Sequence, residues 1–401
     1  MTEKLYQKDV NMTRTSAVVT ETDVDRDGSI LIALDRTVFF PEGGGQPCDT
    51  GTIGGFTVTD VRERNGVIWH KLAGECGLKA GSTAEALIDW ERRFCNMQRH
   101  CGEHILSGAF FKLYGAVNRG FHMGDEYMTV DMSLEGDTSY SEITWDMAIA
   151  AERLANETIW KDLPVTAQHY ATKEDASGRR LRKELTIERD ITIVTVGGQN
   201  EPADACACCG THPTSSGQVG LIKIYKVELN KGMYRIFFEA GSRALEGYDS
   251  RYDVLTYLEK DMSAGFSDII AKYNSRKDKA KSVRDRLYKL TQETLSREKS
   301  ELGAALASGT AVRHYSLLTL DDLIGLGRSL EGSIPGILYL VDDTSNTVLL
   351  FSDTTDCGRM VKENANVFAG RGGGGDTFAR AIFSRKDDLE MFIDAAEKLR
   401  R

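Results

Sequence analysis

The sequence lacks long apolar runs and a surplus of positive charge. No run approaches the ~18 apolar residues that suggest a membrane-spanning helix, and the first 15 residues contain no apolar stretch typical of a secretion signal. These absences predict a cytoplasmic protein without a membrane partner. The formal net charge of −10 argues against a general positive coat for nucleic-acid phosphates and leaves room only for a local basic stripe.

The cysteines are few and unevenly placed. Of eight cysteines, three are crowded at Cys206, Cys208 and Cys209, and the others are scattered. Without a secretion signal, such clustering favours metal or redox chemistry over a disulfide scaffold. The length of 401 residues, with 41% hydrophobic and 27% charged residues, otherwise indicates a globular protein of about two to four domains.

The period of the apolar pattern changes along the first 245 residues. From Ala17 to about Trp90, short apolar runs between turn signals predict a small antiparallel barrel or meander, with the glycines of FFPEGGGQPCDTG in one connection. From Glu91, helical spacing predicts a helix that stops at Gly115, and WDMAIAAERLANETIW predicts a second. DITIVTVGG then indicates a buried strand, and GLIKIYKVEL and MYRIFFEAG indicate a strand pair that turns at residues 230–232.

The rest of the chain begins with a helical pattern and returns to mixed structure. The segment from Tyr252 to Leu306 has no proline and carries apolar residues near three-four spacing, which predicts a long helix or a helical hairpin. After it, SLLTLDDLIGLGRSL indicates a helix, GILYLVDD and TVLLFSD indicate strands covered on both faces, and FAGRGGGGDTFARAIF indicates a glycine loop. DDLEMFIDAAEKLRR indicates a closing helix.

Two pairs of metal-binding side chains share one spacing. His100 and His104 are four residues apart in the predicted helix, so both imidazoles project from one face and can share a metal ion. Cys208 and His212 have the same spacing on a glycine-containing turn. Together they would form a tetrahedral set suited to zinc. An open position on the metal would allow it to activate water or polarise a carbonyl, whereas four permanent ligands would close the site.

Spacing alone leaves the ligand set and the chemistry open. Cys206 and Cys209 form a CxxC that could bind a structural zinc ion together with one histidine. HCGEH also matches the HxxEH pattern of a metallopeptidase, in which Glu103 would be the general base. The plainer interpretations are a hydrogen-bonded histidine pair and an exposed helix glutamate.

Three separated signatures occur in a fixed order: LDRTVFFPEGGGQPCDTG, RHCGEHILSG and CACCGTHPTSSGQVGLIKI. Together they resemble the editing module of alanyl-tRNA synthetase over about residues 1–245. Because no aminoacylation domain precedes them, the chain is similar to the free-standing AlaX-type editing proteins. In the tail, AGRGGGGDTFARA resembles the glycine motif of the DHH-associated domain of the long AlaX subtype.

The resemblance implies hydrolysis of the ester in tRNA(Ala) wrongly charged with serine, with glycine as a second candidate. It implies zinc at the matching positions His100, His104, Cys208 and His212. It also implies that Thr37 recognises the seryl hydroxyl, because a site that hydrogen-bonds this group discriminates better than a pocket sized for a methyl group. The glycine motif, Gly43, Gly44, Gly45 and Gln46, would let the backbone approach the aminoacyl end; a tight strand connection is the alternative explanation.

Further residues are candidates for proton transfer and RNA contact. Glu103 is the candidate for proton transfer, and Cys209 replaces a residue that is commonly glycine in the motif. The expected partner is the acceptor end of tRNA(Ala) with its mischarged amino acid. A basic stripe between Lys272 and Lys289 would make salt-sensitive contact with the tRNA, although a solvated helix face is the plainer interpretation. The candidate tRNA contacts are Lys272, Arg276, Lys277, Lys279, Lys281, Arg284, Arg371 and Arg380.

The expected architecture is an α+β multidomain protein with four parts. They are a β-rich, barrel-like N-terminal domain with the glycine motif (residues 1–90), a zinc-dependent α+β editing domain (91–245), a helical connector (246–306) and a DHH-associated-like α/β domain (307–401). The connector or the C-terminal domain would form a homodimer. The alternatives to an editing hydrolase are an HxxEH-type zinc metallopeptidase and a non-catalytic, zinc-stabilised tRNA-binding protein.

Overall fold

The computed structural model describes residues 1–135 and 139–400 and divides into two compact units, Met1–Tyr257 and Leu258–Arg401. The described helices are α1 (Leu5–Lys8), α2 (Trp90–Tyr114), α3 (Trp145–Trp160), α4 (Ser242–Met262), α5 (Ile269–Leu306), α6 (Leu320–Arg328), α7 (Cys357–Asn364) and α8 (Lys386–Arg400). These helices alternate with several sheets, so the mixed α+β class predicted from the sequence is confirmed.

The strands of the described residues fall into a barrel and four open sheets. In the first unit they are β1 (Glu3–Lys4), β2 (Arg14–Val24), β3 (Ile30–Leu34), β4 (Arg36–Thr37), β5 (Gly51–Ile53), β6 (Phe56–Arg64), β7 (Val67–Leu72), β8 (Thr83–Ile88), β9 (Val117–Met123), β10 (Met128–Ser133), β11 (Val165–Thr172), β12 (Arg189–Val196), β13 (Asp204–Ala207), β14 (Ile222–Asn230) and β15 (Met233–Ala240). In the second unit they are β16 (Ala311–Tyr315), β17 (Leu338–Asp342), β18 (Thr347–Phe351), β19 (Gly370–Gly374) and β20 (Phe378–Phe383).

Six strands near the N-terminus close into a barrel in the order β2-β3-β7-β6-β5-β8. This is one of the two forms that the spacing of the apolar runs predicts. Strand β8 shows the reason, since its residues alternate strictly between exposed and buried positions and therefore present one apolar face to the barrel interior. The glycine motif lies in the connection from β4 to β5, as expected.

A second core lies between helices and sheets of the same unit. Helices α2 and α3 pack apolar side chains such as Ile105 and Ala151 against the sheet β14-β15-β10-β9. The predicted strand pair is present, and its turn uses Lys231 and Gly232 with positive φ, the conformation of a two-residue hairpin turn. The sheet β11-β12-β13 adjoins this core and leads into the cysteine cluster.

The second unit contains the sheet β16-β17-β18-β20-β19. Strands β17 and β18 are buried at every residue, as predicted for strands that are covered on both faces. The prediction of a glycine loop is wrong in part, because residues 370–374 form the edge strand β19. Glycine is poor in strands, but here the partner strand approaches closely: a Cβ at Gly372 would lie 2.1 Å from the Arg380 carbonyl oxygen.

The helical segment before this sheet is interrupted. Helix α4 ends at Met262 and α5 begins at Ile269, so the continuous pattern from Tyr252 to Leu306 covers two helices rather than one. Along α5 most side chains are exposed, including apolar ones such as Leu287. None of the helices in the described ranges combines the length and the apolar character that crossing a membrane requires.

Candidate metal centre and cleft

Helix α2 carries the first pair of metal-binding side chains. The Asp89 side chain caps its first turn by accepting from the Arg92 backbone N–H, and Gly115 ends it in the left-handed conformation. The helix is buried on most sides, and glycine permits this packing: a Cβ at Gly108 would lie 2.2 Å from the Ala203 carbonyl oxygen. Burial of the middle of the helix therefore fixes the positions of its polar side chains.

The second pair lies on the turn after β13. Strand β13 pairs with β12, and the chain then turns through Cys208 and Gly210 to reach His212. Only glycine fits at position 210, because a Cβ there would lie 2.1 Å from the Cε1 atom of His100. The close contact brings the turn directly onto helix α2.

The four predicted ligands converge. One donor atom from each of His100, His104, Cys208 and His212 lies within 4.8 Å of the others. The Cys208 sulfur is 3.4 Å from Nε2 of His100 and 3.4 Å from Nε2 of His212. His100 and His104 are almost completely buried.

Neighbouring polar groups orient two of the imidazoles. Nδ1 of His100 lies 2.9 Å from Gln46 Oε1, and Nδ1 of His104 lies 2.8 Å from Asp204 Oδ2. With Nδ1 held in this way, each Nε2 points toward the Cys208 sulfur, which is the arrangement typical of metal-binding histidines. Nδ1 of His212 is buried without a hydrogen-bond partner in the described part of the chain.

The electrostatics of the cluster favour a cation. Burial would raise the pKa of the Cys208 thiol, but the adjacent imidazoles, His100 foremost, hold it well below its usual value and so favour the thiolate that binds metals. Burial lowers the pKa of His212 to about 4, which keeps this imidazole neutral. Burial acts in the same direction on His104, but Asp204 and Cys208 raise its pKa because these anionic groups attract positive charge. Three imidazoles and a thiolate therefore suit zinc.

Glu103 is buried beside the cluster, so the plainer interpretation of an exposed glutamate is excluded. Its Oε1 atom accepts hydrogen bonds from Ser107 Oγ, at 2.5 Å, and from Asn118 Nδ2. Its Oε2 atom lies 4.0 Å from Nε2 of His104. One oxygen is therefore held by the protein, and the other faces the metal-binding nitrogen.

A cleft of about 720 Å³ leads to this cluster. Its lining comes from the glycine motif, helix α2, strand β9 and the segment before β12; it includes Gly44, Gly45, Asn118, Phe121, Arg182 and Lys183. The ring of Phe121 stacks on His100 with centroids 5.6 Å apart. The cluster therefore lies at the wall of an accessible cleft, beneath an aromatic side chain.

The glycine motif forms a tight turn at the edge of the cleft. The backbone groups of Gly43 and Gln46 exchange hydrogen bonds of 3.1 and 3.0 Å across the turn, and φ is +59° at Gly44 and +81° at Gly45. A Cβ at Gly44 would lie 2.9 Å from the Cys209 sulfur. The turn thus needs glycine for its own conformation and for its contact with the CxxxH segment.

Thr37 is buried and is not among the described residues that line this cleft. Its side chain is completely buried in the barrel, where the hydroxyl is 2.8 Å from Nε2 of His70 and accepts from the Phe39 backbone N–H at 3.1 Å. Among the residues that the structure describes, Thr37 does not line the cleft. Its role in serine recognition stays a prediction.

The competing CxxC ligands are placed differently from Cys208. Cys206 is buried on strand β13 and Cys209 is exposed, and neither belongs to the converging group found within the described ranges. Both nevertheless line the cleft.

The candidate tRNA contacts lie in the second unit. Those on α5 are exposed, and Arg276 pairs with Asp261 at 2.6 Å. Arg371 and Arg380 are exposed on the neighbouring strands β19 and β20. Their positions agree with a surface role, which stays a prediction.

Two residues of the site are not predicted from the sequence. Asp204 begins the cysteine-containing strand, and Arg182 lies in the basic run RRLRK between β11 and β12. Both are buried and meet beside His104. The only sequence signal was an aspartate four positions before Cys208, a spacing that no general motif singles out.

Comparison with known proteins gives consistent matches to both halves of the first unit. Residues 4–92 match the family described as tRNA synthetases class II (A), and residues 191–237 match the threonyl and alanyl tRNA synthetase second additional domain. The alanine–tRNA ligases of Pyrobaculum calidifontis and Natronomonas pharaonis are each 30% identical over 99% and 100% of this chain, which covers 44% of each ligase.

A relative of matching length carries the resemblance over the whole chain. The alanyl-tRNA editing protein AlaX-L of Pyrococcus horikoshii is 30% identical over 427 aligned positions, which cover 100% of this chain and 99% of the relative. The chain therefore belongs to the AlaX-L family of alanyl-tRNA editing proteins.

Proposed function

We propose that the protein is an aminoacyl-tRNA deacylase that hydrolyses the ester between a wrongly attached serine and the terminal adenosine of tRNA(Ala). One observation carries the proposal: a buried His3Cys cluster and a fixed carboxylate meet at the wall of one cleft. The cleft volume of about 720 Å³ is within the ~300–1,000 Å³ range of small-ligand sites and suits an aminoacylated nucleoside. Glycyl esters form the second candidate substrate.

Zinc is the metal that these residues fit. His100, His104, Cys208 and His212 would hold it, with Gln46 and Asp204 fixing two of the imidazoles. Bound zinc would polarise the ester carbonyl or lower the pKa of a water molecule toward ~7.

Glu103 would transfer a proton from the attacking water to the leaving ribose oxygen. In our proposal its Oε2 atom accepts a proton from the attacking water while Ser107 and Asn118 hold Oε1. The water oxygen bonds to the carbonyl carbon, the bond from that carbon to the ribose oxygen breaks, and the proton passes from Glu103 to the ribose oxygen. The products are free serine and uncharged tRNA.

The glycine motif would position the aminoacyl end. Gly44 and Gly45 line the cleft without side chains, so a substrate can approach their backbone. Gly43 and Gln46 close the same turn, and Gln46 also bonds to the Thr211 hydroxyl at 2.7 Å. Thr37 would act in discrimination between seryl and alanyl esters, as the family resemblance implies.

The second unit would supply affinity for tRNA. Exposed basic side chains on α5 and the arginines on β19 and β20 support this role. Exposed apolar residues on α5, including Tyr273, Val283 and Leu287, support the proposed homodimer. The four-domain division and the cytoplasmic location also remain proposals.

The decisive experiment measures deacylation of Ser-tRNA(Ala) and Ala-tRNA(Ala) side by side, with protein of known zinc content. We expect rapid loss of serine while alanine is spared. Gly-tRNA(Ala) in a third reaction tests the second substrate. Failure of zinc-loaded protein to release serine or glycine would end the proposal.

The same preparation tests the two alternatives. Hydrolysis of peptides without tRNA would identify a metallopeptidase, and tRNA binding without ester hydrolysis would identify a binding protein. Family membership favours neither.

A further inference from the structure

Arg182 joins the cleft to the metal centre from a segment without regular structure. It lies between β11 and β12, and its backbone N–H donates to the Ala205 carbonyl oxygen on β13 at 2.9 Å. The side chain is 3% exposed. A buried arginine outside helices and strands requires specific partners, because an unpaired buried charge is costly.

Its first partner is the residue that orients His104. Arg182 Nε donates to Asp204 Oδ1 at 2.6 Å, and Asp204 Oδ2 lies 2.8 Å from Nδ1 of His104. An ionised carboxylate only accepts, so Nδ1 of His104 carries the hydrogen and Nε2 is available to a metal. Arg182 thus fixes the carboxylate of Asp204, and that carboxylate orients the metal ligand His104.

Its second partner is the candidate proton acceptor. Arg182 Nη2 lies 3.9 Å from Glu103 Oε1, so one guanidinium lies between two buried carboxylates. Burial would lower the pKa of Arg182, but Asp204 and Glu103 raise it, and the group stays charged. Burial also acts against ionisation of Asp204, yet Arg182 and His104 lower its pKa.

The residues that follow Arg182 form a wall of the cleft. Residues 183–187 all line it, as do Gly44 and Gly45 of the glycine motif. Among them Lys183 and Leu185 are half-buried and the others are exposed. This wall therefore directly follows Arg182, whose side chain is hydrogen-bonded to Asp204 beside the metal centre.

We propose that Arg182 is a positioning residue: it fixes His104 through Asp204 and anchors the cleft wall formed by residues 183–187 to the metal centre. The substrate part of this inference rests on the proposed deacylation; the metal part does not. Loss of Arg182 should weaken metal retention and substrate binding together, since both depend on the same side chain.

The test begins with zinc release from the full-length protein into an excess of chelator, without tRNA. Removal of groups that orient metal ligands typically costs about 10–100-fold in metal affinity. We expect Arg182→Ala and Asp204→Ala to accelerate release by about that factor, and Arg182→Lys by less. Arg180→Ala, which removes an exposed arginine two positions earlier, should release zinc like the wild type.

Two additions separate positioning from simple charge balance. Free guanidinium should slow zinc release from Arg182→Ala but not from Asp204→Ala. The double variant Arg182→Met/Asp204→Asn removes both charges; if Arg182 only neutralises Asp204, this variant should return to wild-type release. If Arg182 positions the site, the double variant should release zinc at least as fast as Asp204→Ala does.

The substrate arm compares KM and kcat for Ser-tRNA(Ala). We expect Arg182→Lys, the variant that retains the buried charge and therefore the fold, to raise KM severalfold in addition to its faster zinc release. Zinc release within twofold of wild type in Arg182→Ala and Arg182→Lys, or recovery in the double variant, would overturn the inference. A zinc-loaded wild-type protein that spares both Ser-tRNA(Ala) and Gly-tRNA(Ala) would instead end the proposed function and leave the zinc result standing.

Discussion

Buried histidines occur at two places in the first unit, and the contacts of their ring nitrogens differ between the two. In the barrel, Nδ1 of His70 donates to the Ile32 carbonyl oxygen at 3.1 Å, and Nε2 lies 2.8 Å from the Thr37 hydroxyl. In the metal centre, Nδ1 of His100 and His104 also meets a protein partner, but each Nε2 faces the other predicted ligands. The histidines are buried in both places, but only in the metal centre do their ring nitrogens converge with other ligand atoms.

The difference shows how to recognise a ligand among buried histidines. Because a carbonyl only accepts, Nδ1 of His70 carries its hydrogen and Nε2 accepts from the Thr37 hydroxyl, so both nitrogens are used within the barrel. His100 and His104 use one nitrogen for orientation and keep the other for the cluster. The number of nitrogens that the protein itself satisfies is therefore more informative than burial.

Replacement of Glu103 should have the largest effect on the reaction. Glu103→Gln preserves the shape and the contact with Ser107 but removes the proton acceptor, so we expect kcat for Ser-tRNA(Ala) to fall about 10²–10⁴-fold. Zinc content should be unchanged. Glu91→Gln, on the exposed first turn of the same helix, is the matched control. A fall of less than about tenfold would remove Glu103 from the proton path.

Loss of a converging ligand should have the next largest effect. Cys208→Ala should lower zinc affinity by more than the ~100-fold expected for an orienting partner, and activity should fall with it. Cys206→Ala and Cys209→Ala should bind zinc like the wild type. Zinc content after dialysis checks all three. Stoichiometric zinc in Cys208→Ala, or its loss in Cys206→Ala, would favour the CxxC alternative.

His70 should affect the pH dependence of stability instead. Burial lowers its pKa to about 4 in the folded protein, against about 6.5 when unfolded. Between these values the unfolded chain binds the proton first, so stability falls as pH drops from 6.5 to 4, by about 3 kcal/mol in all. His70→Gln should lack this contribution.

Tryptophan fluorescence isolates the relevant unit in that measurement. All four tryptophans lie in the first unit, so their emission during urea unfolding reports on it without the second. We would compare wild type and His70→Gln at several pH values from 4.5 to 7.5. Equal pH dependence in the two proteins would show that His70 is not held neutral.

Thr37 should give the smallest of these effects. Thr37→Val leaves Nε2 of His70 and the Phe39 N–H without their partner, which should cost about 1–3 kcal/mol of unfolding free energy. Thr37→Ser keeps the hydroxyl and should cost less. The ratio of Ser-tRNA(Ala) to Ala-tRNA(Ala) deacylation in Thr37→Val tests its proposed role in recognition separately.

Local signals explain most of what the sequence could predict. Helix α2 was predictable because its spacing and stop signal are local, and the two ligand pairs followed from their spacing. Arg182 and Asp204 were not predictable, because Asp204 meets His104 across 100 positions of chain and Arg182 meets Asp204 across 22, and both contacts depend on the folded sheet. Strand β19 was missed because pairing with β20 overrides the low strand propensity of glycine.

Helix α2 limits how the site can change. It carries His100, Glu103 and His104, and one added residue upstream of them would rotate all three by about 100° and shift them by about 1.5 Å. Insertions within this helix should therefore be absent from functional variants. The segment between β11 and β12 is not helical, so an added residue there does not rotate the residues that follow it. Length changes in this segment, away from Arg182, therefore offer a route to an altered substrate range.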